Sequence, residues 1–118
     1  MGNLRWVINL LVGVPMKIEF TESNYVLLNE GKSSTVRLGT KTKYIDYIGK
    51  GVILHDNLSQ RKAMITEVSF KMLGELTLGD AKLDGFNSVE ELGYELARCY
   101  NEDLFYYTKI TIIKFVLI

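Results

Sequence analysis

The sequence predicts a small α+β domain, in which a mixed β-barrel carries short helices over its openings. Runs rich in β-branched and aromatic residues outnumber the helical patterns, and the helical patterns lie between strands without following every strand. A length of 118 residues suits one domain with a single core region. A parallel sheet covered by helices on both faces would instead alternate strand and helix along the whole chain.

The first half of the chain is expected to supply three short strands and one helix. "MKIEF" reads as a strand, and Thr21 or Ser23 can then cap a short helix that ends at Gly31. "STVRL" follows as a strand because of its β-branched content and its alternation. Residues 39 to 50 are expected to form a polar loop, and "GVILH" the next strand.

The second half begins with a longer strand, "KAMITEVSFKML", in which apolar and polar residues alternate. "LTLGDAKLDGF" suggests a short helix that stops at Gly85. Ser88 and Glu91 then form a capping box that begins a second helix. "LFYYTKITIIKFVLI" is long enough for a central closing strand.

The second helix has one apolar stripe, which we expect to pack against the barrel. The stripe has the spacing of a helix face and consists of Val89, Leu92, Leu96 and Cys99. Because Cys99 belongs to this stripe, we interpret it as a core thiol and not as a nucleophile.

Composition excludes several kinds of site. The single cysteine, Cys99, rules out an internal disulfide and a cysteine-built zinc site. With one histidine, His55, a histidine-rich metal centre is not expected, and we expect no cofactor. A reducing cytoplasm is the default compartment for such a chain.

The net charge of zero conceals two oppositely charged segments. Residues 32 to 62 carry a net charge of +5, whereas residues 63 to 103 carry −6. The basic segment could contact phosphate, but the overall balance argues against strong nonspecific binding to duplex nucleic acid. A small polar or anionic ligand is equally compatible with this distribution.

The first fifteen residues are interpreted as an apolar extension, with the compact domain spanning residues 16 to 118. "LRWVINLLVGVP" is shorter than the ~20 apolar residues that a spanning helix needs, so no membrane contact is expected. A signal peptide with Arg5 as its positive region lacks an A-x-A-like cleavage site. We interpret the segment as an extra strand or a partner-facing surface, through which a homo-oligomer could form.

The stretch "NEGKSSTVRLG", residues 29 to 39, is the strongest candidate for a polar site. On a strand, Thr35 and Arg37 point to one face while the residues between and after them point to the other. Lys32 can reach the same side because the chain turns out of the helix at Gly31. The alternative is that the stretch only connects a helix to a strand. In that case Lys32 favours a helix C-terminus, Thr35 suits a strand and Arg37 is solvated.

The same stretch and the order of elements around it resemble the ASCH domain of the PUA-like superfamily. Lys32, Thr35 and Arg37 match the K-x-x-T-x-R portion of that family's G-x-K-x-x-T-x-R hallmark, while Gly31 directly precedes the lysine. "YIGKGVIL" occupies the place of the family's Y-x-x-G-D-x-V stretch, with Gly51 where the family has aspartate. The resemblance runs from about residue 16 to the C-terminus and implies a small mixed PUA-like barrel with a ligand cleft beside Lys32.

The resemblance also implies two alternative functions. Some similar bacterial proteins are amidohydrolases that remove the acetyl group from acetylcytidine, using a lysine, a threonine and a glutamate. Here the catalytic residues would be Lys32, Thr35 and Asp84, with aspartate in place of the glutamate. Other members are thought to bind RNA without hydrolysis, so the expected partner is a modified nucleoside or RNA. Further ligand-binding candidates are Arg37, Lys41, Lys43 and Arg61.

The amide hydrolysis that the resemblance implies requires particular surroundings for these residues. A threonine hydroxyl is a poor nucleophile unless an adjacent base removes its proton. Lys32 could act as that base only if burial or the charge of Arg37 lowers its pKa well below ~10.4. Asp84 would serve to carry a proton to the departing amine. "DG" at Asp84 and Gly85 is equally an ordinary helix-ending turn.

Overall fold

The computed structural model describes residues 16–118 and shows a five-stranded mixed sheet with short helices. The expectations for residues 1 to 15 fall outside these described residues. The strands are β1 (Lys17–Glu19), β2 (Ser34–Leu38), β3 (Gly51–His55), β4 (Gln60–Met72) and β5 (Lys109–Leu117). The α-helices are α1 (Glu22–Val26), α2 (Leu78–Leu83) and α3 (Val89–Tyr100). Three 3₁₀ turns complete the chain, at Leu27–Glu30, Thr42–Tyr47 and Leu73–Glu75.

The strands lie in the order β1-β3-β4-β5-β2, so the two strands that come first in the sequence form the two edges. β1 runs parallel to β3, and every other neighbouring pair is antiparallel. Within residues 16–118 no backbone ladder joins β1 to β2. Instead, Nη2 of Arg37 on β2 donates a hydrogen bond of 2.7 Å to the carbonyl oxygen of Glu19 on β1. The sheet therefore curls so that its two edge strands, β1 and β2, are joined through the side chain of Arg37.

β4 is the strand that allows this curvature. It is 13 residues long; residues 60 to 64 pair with β3, and residues 63 to 72 pair with β5. The register with β5 shifts between Ile65 and Glu67, which leaves Thr66 as an extra residue. Such a bulge bends a strand and increases its twist, so β4 can belong to both halves of a curled sheet.

Two hydrophobic clusters fill the two ends of the curled sheet. The first gathers side chains from β1, α1, β3, β4 and β5, among them Ile18, Leu54 and Phe115. The second places α2 and α3 against β2 and β5 through Val36, Leu92 and other side chains. Val36 and Leu38 point into this second cluster, as the alternation in "STVRL" predicts.

The helix boundaries follow the predicted caps. The side chain of Thr21 accepts a hydrogen bond from the backbone N–H of Asn24 and begins α1. Gly31, at φ 99°, ends the following 3₁₀ turn in the left-handed region that glycine favours. Ser88 caps α3 through the N–H of Glu91, but the Glu91 carboxylate accepts from the N–H of Asn87 rather than from that of Ser88.

Two expectations about local structure were wrong. The segment from 39 to 50 is not simply a polar loop, because it contains the turn Thr42–Tyr47 with Tyr44 buried in the first cluster. Cys99 is not a core thiol, because its side chain is exposed. Leu92 and Leu96 of the same stripe are buried, and in the last turn of α3 it is Tyr100, not Cys99, that packs against the second cluster.

Candidate functional site

A cavity of about 500 Å³ opens between the meeting edges of the sheet and helix α3. Residues of β1, α1 and β2 form one side of this cavity, and residues of α3 form the other. Lys32, Thr35, Arg37 and Asp84 all line it. The structure thus brings together the four residues of the predicted K-x-x-T-x-R and Asp84 constellation, whose chemical roles remain predictions.

Lys32 is a buried lysine with only 4% of its surface exposed. The turn at Gly31 redirects the chain, and the N–H of Lys32 donates to the carbonyl oxygen of Leu27 at 3.1 Å. Its Nζ forms an ion pair with the Asp84 carboxylate and donates a 2.8 Å hydrogen bond to the Asp84 carbonyl oxygen. The rings of Phe20 and Phe86 lie near the same ammonium, at 5.6 and 5.8 Å from their centroids.

Asp84 ends helix α2 and points inward, with 3% of its surface exposed. Its Oδ2 accepts a hydrogen bond of 3.1 Å from the backbone N–H of Val36, while Oδ1 contacts Lys32. Gly85 follows at φ 91°, so the "DG" pair also forms the helix-ending turn. The two interpretations of this dipeptide are therefore compatible, because the turn is what directs the carboxylate at Lys32 and at strand β2.

Thr35 and Arg37 project from β2 towards the cavity, opposite Val36 and Leu38. Thr35 is buried, and its Oγ1 accepts a hydrogen bond of 3.1 Å from Nε of Arg37. The guanidinium also lies over the Phe20 ring, with Cζ 5.1 Å from the ring centroid. Since Arg37 holds the hydroxyl as an acceptor, the hydroxyl proton of Thr35 is available for a base.

The pKa of Lys32 is lowered from 10.5 to about 7, first by burial and then by the Arg37 guanidinium. The adjacent Asp84 carboxylate acts in the opposite direction, because an opposite charge in contact favours the ammonium. A buried lysine and carboxylate in contact titrate as one unit. The pair can therefore pass a proton between nitrogen and oxygen with no change in its total charge.

Glu95 is a cavity residue that sequence reasoning missed. It lies on α3, and its carboxylate receives two hydrogen bonds from Arg98, at 2.8 and 2.6 Å, and one of 2.6 Å from Asn24 on α1. Hydrogen bonds from Arg98, and then from Asn24 and Cys99, lower the pKa of Glu95 to about 2 although burial raises it. The only nearby feature of the sequence that could have drawn attention to Glu95 is its spacing from Arg98, and that spacing is typical of any exposed helical ion pair.

The three remaining basic candidates do not line the cavity. The backbone N–H of Lys41 donates to Oγ1 of Thr111, and Nζ of Lys43 lies 5.2 Å from the Tyr44 ring centroid. Arg61 donates to Oδ1 of Asn29 at 3.2 Å. Lys41, Lys43 and Arg61 therefore cannot contact a ligand that lies wholly within the cavity.

Cys99 does line the cavity, and it contacts the Glu95 carboxylate at 3.4 Å. Burial, followed by its hydrogen bond to Glu95, raises the pKa of the Cys99 thiol. A raised pKa reduces the thiolate fraction that a nucleophile needs. Among the residues that line the cavity, the buried polar side chains are the amine of Lys32, the carboxylate of Asp84 and the hydroxyl of Thr35. Within residues 16–118 no cluster of three or more His, Cys, Asp or Glu side chains could hold a metal ion.

Solved structures provide the comparison for this arrangement. A DUF984 protein from Enterococcus faecalis aligns with a TM-score of 0.63 and 15% identity over 83% of this chain and 68% of that one. An ASCH domain from Lactobacillus crispatus aligns with a TM-score of 0.57 and 13% identity over 80% and 69% of the two chains. A protein from Pyrococcus furiosus aligns with a TM-score of 0.52 and 18% identity over 87% and 98%.

No family model and no curated protein sequence matches this chain. In the part of the chain that the structure describes, no helix has the length and apolar character that crossing a membrane requires. The likeness to solved structures at these identities concerns the arrangement of the chain. It confirms the predicted α+β class and, for the fold, the resemblance to the ASCH domain. This protein therefore has the small α+β fold of an ASCH domain.

Proposed function

We propose that the protein binds a nucleoside-type ligand in the cavity and hydrolyses an amide on it, with acetylated cytidine as the first candidate. The observation that carries this proposal is the buried Lys32–Asp84 pair on the wall that also holds the Thr35 hydroxyl. A buried lysine costs stability unless it is paired, and groups with strongly shifted pKa values concentrate at functional sites. A purely structural pair would not need to face a cavity of this size.

In the proposed reaction, Thr35 Oγ attacks the amide carbonyl carbon while its proton moves to the neutral amine of Lys32. The carbon–nitrogen bond then breaks, the departing nitrogen receives a proton through the Lys32–Asp84 pair, and an acyl ester remains on Thr35. Water attacks that ester, releases the acid and returns the proton to the hydroxyl. Arg37 stays protonated throughout, so its role is to position Thr35 and to stabilise the developing negative charge.

The charges around the cavity support a nucleoside rather than a polynucleotide as its occupant. Two cations, Lys32 and Arg37, line the cavity together with four carboxylates, those of Glu19, Glu22, Asp84 and Glu95. A phosphate group entering this opening would meet more negative than positive charge. The neutral, planar body of a nucleoside meets no such repulsion and can pack against the Phe20 and Phe86 rings.

The test is to incubate the full chain with acetylcytidine and related acylated nucleosides and to measure released acetate and free cytidine. Thr35→Ala should abolish turnover because the attacking oxygen is absent. Thr66→Ala, which removes an exposed threonine from β4, is the matched control and should leave turnover unchanged. Release of acetate that continues in Thr35→Ala would overturn the nucleophile assignment, and no release from any substrate would overturn the hydrolase proposal.

The pH profile tests the role of Lys32 separately. Because the base must be unprotonated, the rate should rise as the pH passes through the pKa of Lys32, which burial and the Arg37 guanidinium lower from its ordinary value of 10.5. Arg37→Gln removes a charge that lowers this pKa, so the midpoint should move to higher pH in addition to any fall in the rate. A midpoint unchanged by Arg37→Gln would contradict the assignment of Lys32 as the base.

The alternative function is a noncatalytic RNA-binding module, and Lys41, Lys43 and Arg61 outside the cavity are what favours it. Phosphate contacts from these residues and from Lys62 would release counterions, so affinity for RNA should fall steeply as salt increases. RNA binding that depends on salt, combined with no turnover of any acylated nucleoside, would support this alternative. Binding that is insensitive to salt would count against it.

A further inference from the structure

The outer face of the sheet carries an exposed apolar patch, and none of its residues lines the polar cavity. Register places Gly51, Met64 and Val116 side by side on one face of β3, β4 and β5. Lys17, Ile53 and Lys62 form the neighbouring row on the same face. Ile118 continues this row, since its N–H donates to the carbonyl oxygen of Lys62 at 3.1 Å.

This patch, defined by Ile53, Met64, Val116 and Ile118, is incompletely covered. Val116 has 48% and Ile118 has 77% of its surface exposed, although each sits on or beside a central strand of the sheet. The opposite face of the same strands is the fully buried first cluster. Contiguous exposed apolar patches on a soluble domain usually mark a surface that something covers.

Residues 1 to 15 have a sequence pattern that suits such a surface. Every even position from 4 to 14 is a large apolar residue, and the set is Leu4, Trp6, Ile8, Leu10, Val12 and Val14. The odd positions between them include Arg5, Asn9 and Gly13. The odd positions also include apolar Val7 and Leu11, so in an extended conformation one face of the segment would be apolar at every position and the other would be mixed.

The position of Met16, which follows the segment, also supports docking on this patch. The carbonyl oxygen of Met16 accepts a hydrogen bond of 2.9 Å from the N–H of Ile53, so Met16 lies beside the patch. Three steps between neighbouring strands separate β1 from β5, or about 14 Å, which about five extended residues can span. Gly13 and Pro15 are residue types that allow the chain to reverse direction immediately before β1.

We propose that residues 4 to 12 dock in extended form across the patch of Ile53, Met64, Val116 and Ile118, with their even-numbered side chains against it. A tether of a few residues gives the segment a high effective concentration at its own sheet, which favours this occupant over a second copy of the chain. Arg5, the one charged side chain of the segment, has the same sign as Lys17 and Lys62 at the border of the patch, so the docking would rest on apolar contact and not on ion pairs.

Trp6 makes the proposal directly measurable, because it is the one tryptophan of the sequence. Its fluorescence should be blue-shifted and shielded from acrylamide in the full chain. Val116→Lys and Ile118→Lys should each red-shift the emission and raise the quenching constant several-fold. Leu58→Lys, at a residue 85% exposed in the turn between β3 and β4, is the matched control and should change neither.

Three results of these fluorescence measurements would overturn the proposal. Quenching in the wild-type chain as strong as that of a free tryptophan derivative overturns the proposal, and so does shielding that neither lysine variant reduces. Shielding that increases with protein concentration shows a second copy as the occupant and also overturns it. Circular dichroism checks that the variants fold; if Val116→Lys does not, Ile118→Lys, at the more exposed position, carries the test alone.

Discussion

Helix α2 presents two aspartates, and each of them pairs with a lysine in a different setting. Asp80 lies in the first turn, where its Oδ2 accepts from the Thr77 N–H at 2.9 Å and contacts Nζ of Lys71 at 2.7 Å. Asp84 lies at the C-terminus and pairs with Lys32. The Lys71 and Asp80 side chains are 29% and 13% exposed, whereas those of Lys32 and Asp84 are 2% and 4% exposed.

The difference between the two pairs separates a structural role from a candidate functional one. The Asp80 pair completes a capping box and joins α2 to β4 at the rim of the second cluster, which is a structural role. The Asp84 pair is removed from bulk water and faces the cavity. Because a buried ion pair often stabilises a fold no better than apolar side chains would, its retention there favours a functional role.

The largest expected effect comes from removing one partner of the buried pair. Lys32→Met should lower the free energy of unfolding by about 3–5 kcal/mol, because it leaves the Asp84 charge buried without its cation. Lys71→Met, the matched change in the partly exposed pair, should cost less than about 1 kcal/mol. Urea unfolding of the two variants measures the contrast, and equal losses would refute it.

A double variant sharpens the same comparison. Lys32→Met with Asp84→Leu removes both charges, so most of the loss seen in Lys32→Met should be recovered while turnover stays absent. The variant leaves the N–H of Val36 without its acceptor, so the recovery should be incomplete. A double variant that is less stable than Lys32→Met would show that the carboxylate stabilises the fold independently of the lysine.

Asp80→Ala should have a smaller effect, of about 1 kcal/mol, since the N–H of Thr77 loses its acceptor and Lys71 loses its partner. Burial raises the pKa of Asp80, but hydrogen bonds from Lys71 and Thr77 outweigh this and lower it overall. Thermal unfolding measures the stability loss, and the rate of acetylcytidine hydrolysis should be unchanged because Asp80 does not line the cavity. A fall in that rate would contradict the assignment of a purely structural role to Asp80.

The smallest effect concerns Glu95 in acid. Its pKa of about 2 lies below the ordinary 4.5, so its ionised form stabilises the fold above that ordinary value. This contribution is lost as the pH falls from about 4.5 towards 2, and wild type should therefore lose more stability over this window than Glu95→Gln does. Unfolding in urea across the window measures it, with Glu90→Gln on the same helix as the control for net charge. Parallel curves for wild type and Glu95→Gln would contradict the prediction.

Alternation along "STVRL" was sufficient to predict that Thr35 and Arg37 share a face and that Val36 and Leu38 share the other, because strand geometry fixes this locally. The turn at Gly31 was equally local. Asp84 entered the prediction through the family resemblance, since no spacing rule connects two residues 52 positions apart. Its shorter side chain nevertheless contacts Lys32, because the C-terminus of α2 lies directly beside β2.

What the sequence could not supply are the contacts that only the complete fold creates. Asn24 and Glu95 are 71 positions apart and meet because α1 and α3 both lie beside the cavity. The burial of Tyr44 depends on where the 3₁₀ turn docks against the first cluster, and the polar composition of that segment concealed it. Cys99 has the helical spacing of its stripe, but spacing does not show that the next residue, Tyr100, contacts the second cluster instead.

The hydrogen bond from the N–H of Val36 to Asp84 has a consequence for the behaviour of the protein at high concentration. β2 is an edge strand, and an edge N–H without a partner is a template for strand addition by another molecule. Asp84 occupies that donor on β2, and Arg37 occupies the Glu19 carbonyl oxygen on the other edge. These two side chains therefore also limit intermolecular strand pairing, so substitutions at Asp84 or Arg37 should increase aggregation at high protein concentration.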